Sequence, residues 1–174
     1  MPRRLGLFAP VLPARTRPSS GFAYLRRETI VPASRHDTFA FFADASNLER
    51  LTPPWLNFAI LTPTPLAMWA GVDIDYRISL YGLPMPWRSR IDVWEPSVRF
   101  VDRQVIGPYR WWRHEHRFDT VAGGTLVVDH VEYVPRARWL SAPIVRRDLE
   151  RIFTYRQNAL RQIFGTHELA ARSA

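Results

Sequence analysis

The sequence predicts an α+β fold: a curved antiparallel sheet of about seven strands wrapped around one long C-terminal helix, with an internal cavity between them. Three observations lead there. Residues 71–134 run in alternating apolar and polar stretches separated by short Gly- and Pro-containing turns, and strands joined by such turns pair antiparallel. Residues 144–164 instead space their apolar side chains at the helical period. A strongly twisted sheet is the natural surface on which one amphipathic helix buries its stripe, and its curvature leaves room for a ligand.

The elements follow in chain order. Residues 22–31 alternate as a strand does, and Pro32 ends the run. Ser34 is placed to cap a first helix with Asp37 in its first turn, and Phe39, Phe42 and Ala43 give that helix an apolar face. A second short helix is expected over residues 45–51, capped by Asp44 and stopped by Pro53-Pro54. Residues 56–61 read as a short strand broken off by Pro63 and Pro65. From Gly71, the residues Val72, Ile74, Tyr76, Ile78 and Leu80 alternate with Asp73, Asp75, Arg77, Ser79 and Tyr81, giving a strand with one buried and one wet face. Turns around Gly82, Pro96, Gly107-Pro108 and Gly123-Gly124 then set off strands over 87–94, 98–106, 109–120 and 125–134. After Pro135 a basic connector runs to Pro143, followed by the long helix. Leu149, Ile152, Phe153, Arg156, Leu160, Ile163 and Phe164 share its stripe; Arg156 is expected to reach past the apolar edge, and Gly165 to cap the end.

Length and composition bound the function. A chain of 174 residues, 47% hydrophobic and 13% aromatic, fits one globular domain. The expected division is a flexible basic N-terminal tail over 1–20, one ligand-binding domain over 21–165 and a C-terminal tail over 166–174. No cysteine is present, which excludes disulfides, thiolate nucleophiles and Cys-ligated metals. The net charge is +8 and every basic residue is arginine, so Schiff-base and P-loop lysines are excluded too. The arginines are scattered and no nucleic-acid-binding signature accompanies them, so no nucleic-acid partner is expected. No run approaches the ~20 apolar residues of a membrane span, and a cytoplasmic location is expected. The basic, apolar connector over 136–143 admits a peripheral membrane contact, although a solvated connector is the simpler reading.

Several short motifs recur in a telling order. They are Val31-Pro32-Ala33-Ser34, Asn47-Leu48-x-x-Leu51-Thr52-Pro53-Pro54, Gly82-x-Pro84-x-x-Trp87, Phe100-x-Asp102-x-Gln104 and Gly107-Pro108-Tyr109. Trp112-x-His114-x-His116-x-Phe118, Gly124-Thr125 and Asp129-x-Val131-x-Tyr133-x-x-Pro135 follow. Over residues 22–165 this order resembles the START-like, birch-pollen-allergen-like helix-grip superfamily (SRPBCC), and within it the bacterial polyketide cyclase/dehydrase-type branch. The resemblance implies a helix-grip fold and a cavity for a lipid, quinone or polyketide-like molecule. It implies catalysis for a minority of members.

Strand alternation puts Trp112, His114, His116 and Phe118 on one face, expected inward, and Trp111, Arg113, Glu115, Arg117 and Asp119 on a largely solvated face. By analogy with the family pattern, Asp129, Val131 and Tyr133 face inward from the last strand, but Leu126, Val128 and His130 form an equally apolar alternative. Phe100, Asp102 and Gln104 are expected to face in as well, beside Trp87, Ser89 and Ile91. With Tyr76 and Phe153 these complete the expected ligand-binding set. The histidine pair has three readings: a satisfied core cluster, a polar handle that orients a ligand, or chemistry. Chemistry means His114 or His116 as general acid/base oriented by Asp129, or the pair ligating zinc with a carboxylate. No nucleophile, phosphate-loop or His-Glu-x-x-His motif supports a stronger assignment; no metal or cofactor is assigned, and the oligomeric state is open. Trp55 and Trp69, in loops, are expected to border the cavity entrance.

Overall fold

The computed structural model describes residues 21–136 and 138–165, and the side chains of all of these except 138–141. The expected tails over 1–20 and 166–174 lie outside the described residues. Strand β1 (Ala23–Val31) leads through Pro32 to α1 (Arg35–Ala43), whose Ser34 cap accepts from the Asp37 amide. Asp44 caps the following 3-10 turn, which runs into α2 (Leu48–Leu51). Six strands follow: β2 (Ala59–Ile60), β3 (Asp73–Leu80), β4 (Leu83–Glu95), β5 (Arg99–Ile106), β6 (Tyr109–Val121) and β7 (Gly124–Pro135). The last element is α3 (Arg138–Phe164). All strands join one antiparallel sheet of order β1-β7-β6-β5-β4-β3-β2. Among the described residues no helix is long and apolar enough to cross a membrane.

Two expectations about elements are corrected. The strand over 56–61 shrinks to β2, because residues 54–56 make a 3-10 turn and Asn57 turns the chain with φ 41°. The long helix starts at Arg138 rather than 144, and Pro143 lies inside it. Pro143 has no N–H to give the helix, which continues through it one hydrogen bond short. Arg136, at the expected connector, donates to the Gly107 carbonyl at 3.0 Å.

The inner face of the sheet holds the core. Val31, Phe39, Phe42, Ile91, Phe100, Phe118, Val127 and Leu160 form one cluster, and Leu25, Ile78, Trp87, Trp112, Val131, Tyr133, Leu149 and Phe153 another. Outward charges pair across strands: Arg88 with Asp75 at 2.6 and 2.7 Å, and Arg90 with Asp73 at 2.7 Å on both oxygens. The solvated-face expectation fails at Trp111, which is 7% exposed. Phe22 packs edge-on against it, and a register irregularity between Tyr109 and Trp111 brings Tyr109 onto the cavity face with Trp112.

Candidate functional site

A cavity of about 180 Å³ separates the inner face of β3–β6 from α3, closed on a third side by residues 41–58. Apolar side chains dominate its walls. Asp44, Asn47 and Thr52 border it along the helical segment, but their polar atoms bind Ser46, Phe41 and Leu48 locally. The polarity directed into the cavity is therefore concentrated elsewhere, on β3–β6 and Arg156.

The sheet register explains that concentration. His114 on β6 lies directly opposite Asp102 on β5, and His116 lies directly opposite Asp129 on β7. Alternation keeps all four side chains on the inner face. His114 Nε2 donates to Asp129 Oδ1 at 3.0 Å, and His116 Nδ1 stands 2.9 Å from the same oxygen. Arg156 donates from Nε to the other Asp129 oxygen at 3.2 Å and stacks over Phe42 at 5.1 Å. On the opposite side of the imidazoles, Asp102 Oδ2 lies 3.7 Å from His114 Nδ1 and 3.5 Å from His116 Nε2. Ser89 donates to Asp102 Oδ1 at 3.1 Å and is itself bonded by Trp87 Nε1 and Tyr76 OH, each at 3.1 Å. Since the Ser89 proton goes to Asp102, Tyr76 is the donor in its own bond.

Charge states follow from these contacts. Burial pushes Asp129 up, but Arg156 and the two imidazoles outweigh it and hold the carboxyl well below the usual range. Burial also opposes ionisation of Asp102, yet His116, His114 and Ser89 together leave it lowered. Burial, aided by the neighbouring His116, brings His114 down to about 4, against the pull of Asp129 and Asp102. His114 is therefore neutral at pH 7, and with its Nε2 proton on Asp129 it presents the Nδ1 lone pair toward Asp102. Burial and the Asp102 charge push the Tyr76 phenol well above its ordinary value, so it stays a neutral donor.

Of the residues expected at the site, Tyr76, Trp87, Ile91, Phe100, Asp102, Trp112, His114, His116 and Phe153 line the cavity. Gln104, Phe118, Asp129, Val131 and Tyr133 lie behind that wall. The Gln104 amide is spent on the Tyr109 backbone, accepting at 3.1 Å and donating at 2.9 Å. Phe118 and Val131 are fully buried in the core, and Tyr133 packs on Trp112 and Tyr109. Asp129 supports the imidazoles from beneath. On β7 Asp129, Val131 and Tyr133 are all buried; of the alternative set Val128 is buried as well, while Leu126 and His130 are half-buried. Neither Trp55 nor Trp69 lines the cavity; Trp55 sits against Tyr155 and Arg151 on the outer side of α3.

The expectation for Arg156 is corrected: the guanidinium turns inward, 8% exposed, because a buried carboxylate and the His116 imidazole lie within reach. Polar residues at period two on adjacent strands signalled that these groups would need partners, though not which side chain would supply them. Leu48, Leu51, Leu56, Phe58, Met68 and Tyr109, which line the cavity, had no such signal.

Comparison with solved structures bears on this frame. An aromatase/cyclase from Streptomyces sp. R1128 superposes with a TM-score of 0.65, at 18% identity, over 83% of this chain and 98% of the other. A major latex-like protein from Panax ginseng gives a TM-score of 0.62 at 12% identity, over 83% and 99%. This chain has the START-like helix-grip fold. A nucleoside-diphosphate sugar epimerase from Corynebacterium glutamicum is 27% identical with a TM-score of 0.58, over 78% of this chain but 28% of the longer one. Residues 83–164 match a family described as a domain of unknown function (DUF8410). No curated protein matches the chain.

Proposed function

We propose that the helix-grip cavity binds a small, largely apolar aromatic molecule, oriented at its polar end by Asp102, His114, His116 and Tyr76. The supporting observation is the cavity itself: about 180 Å³, walled by Trp87, Trp112, Phe100 and Phe153, with one cluster of polar groups set among them. Such a division of labour, apolar walls for affinity and a few polar atoms for orientation, is typical of small-molecule sites. The volume resembles the roughly 150 Å³ at which an apolar protein cavity accommodates benzene, so it favours one or two rings over a sterol, a long-chain lipid or an extended polyketide.

A second reading is an acid/base reaction of cyclase or dehydratase type on a bound substrate. It is favoured by the neutral His114 imidazole, whose Nδ1 lone pair lies at the cavity wall while Asp129 fixes the ring. Binding comes first in either case.

The test is an affinity series by calorimetry with phenol, 2-naphthol and a three-ring phenol. Saturable 1:1 binding that peaks at one or two rings and is lost in Ile78→Trp, which fills the cavity, is expected. Equal affinities in Ile78→Trp and the parent would refute the cavity as the site.

A further inference from the structure

We infer that Asp102, His114 and His116 form a mononuclear site for a divalent transition-metal ion of the zinc class on the cavity wall. One donor atom from each residue lies within 4.8 Å of the other two. The Asp102 Oδ2 to imidazole nitrogen distances are 3.5 and 3.7 Å. Ligands held about 2.0–2.1 Å from a tetrahedral ion stand about 3.4 Å apart, so the ion fits with small adjustments of rotamers.

The remote nitrogens strengthen the assignment. A metal-bound imidazole characteristically donates its other N–H to a carboxylate, which fixes the tautomer and ring orientation. Here His114 Nε2 lies 3.0 Å and His116 Nδ1 2.9 Å from the same Asp129 oxygen. A metal on His116 Nε2 would place the remaining proton on Nδ1, facing Asp129, and Arg156 Nη2, now 3.3 Å from that nitrogen, would give up that contact and keep its bond to the carboxylate. Arg156 anchors that carboxylate through its other oxygen at 3.2 Å. The two imidazoles are thus oriented before any ion arrives.

Charge accounts for the rest. Arg156 balances Asp129, whereas among the described residues the ion-pair partners of Asp102 are the two imidazoles alone. A carboxylate only 14% exposed and facing two imidazoles, with no cation paired to it among the described residues, is a place where a divalent cation is favoured. Three protein ligands leave a coordination position open toward the aromatic cavity, available to water or to a carbonyl or phenolate oxygen. This inference goes beyond the ligand reading and does not need it, since an ion held beside an empty cavity satisfies it.

Protein stripped with EDTA and dialysed is titrated with Zn²⁺ by calorimetry and with Co²⁺ by visible absorption. One equivalent of Zn²⁺ at submicromolar Kd, and a Co²⁺ spectrum of tetrahedral intensity, are expected. Asp102→Asn and His116→Gln should each weaken Zn²⁺ binding by more than the ~10–100-fold typical of losing an outer-sphere partner, whereas His36→Gln and His130→Gln leave it unchanged. His114→Gln replaces either variant that loses its far-UV circular dichroism. Absence of stoichiometric binding, retention of it in the folded ligand variants, or its loss in His36→Gln or His130→Gln would overturn the assignment. Absence of zinc binding in the parent protein with 2-naphthol binding intact would count against the metal site alone, so the two readings fail separately.

Discussion

Asp129 joins β7, β6 and α3 through one carboxylate, touching His114, His116 and Arg156 while itself 2% exposed. Removing the cation strands a buried charge, and breaking such pairs from one side costs about 3–5 kcal/mol. Arg156→Met should therefore lower stability by about that amount at pH 7 in urea unfolding with EDTA present. The sign of its pH dependence follows from the Asp129 shift. A carboxyl lowered in the folded state stabilises above its unfolded value near 4, and that contribution is lost as pH falls through the folded value. The variant lacks most of that contribution, so its deficit should begin to close below about pH 4. A deficit that widens on acidification would show that Arg156 acts by packing on Phe42 instead. At this scale the sequence was partly legible: period two placed the histidines with Trp112 and Phe118, but it could not tell an arginine leaning out from one turned in.

Among elements, the β6–β7 hairpin ties the site to α1. Val31 lies opposite Thr125, Thr125 Oγ1 donates to the Ala33 carbonyl at 2.8 Å, and α1 delivers Phe42 against His116 with ring centroids 5.8 Å apart. Gly124 permits that approach: its φ is +149°, and a Cβ there would stand 2.0 Å from the Val31 carbonyl oxygen. Gly124→Ala should destabilise by about 1–3 kcal/mol through backbone strain alone, with the steric clash adding to it; an unchanged melting temperature would contradict this. The glycine pair announced the hairpin in the sequence, and the caps Ser34 and Asp44 announced their helices. Residues 56–61 misled because an apolar run of that length suits a strand or a tight turn equally, and the left-handed Asn57 decides between them. The start of α3 was hidden by Pro143, whose usual meaning is a helix boundary, whereas here the helix continues through it.

For the whole molecule, the order of elements made the curved sheet and gripping helix legible, since few arrangements bury one helix against a single antiparallel sheet. The size of the space between them was not legible. It depends on how Leu48, Leu51, Phe58 and Met68 fill one side, and no periodicity marks those residues as wall rather than core. Nor could periodicity show that Gln104 is consumed by a turn while Asp102, two residues before it, lines the cavity. The central claim is that an aromatic molecule enters this cavity and contacts its tryptophan walls. It is tested most directly by ¹H–¹⁵N spectra of the indole N–H groups during titration with 2-naphthol. Trp87 and Trp112 should shift progressively and saturably, while Trp55, Trp69 and Trp111, which do not line the cavity, stay in place. Shifts confined to Trp55 and Trp69, with Trp87 and Trp112 unmoved at saturation, would contradict it.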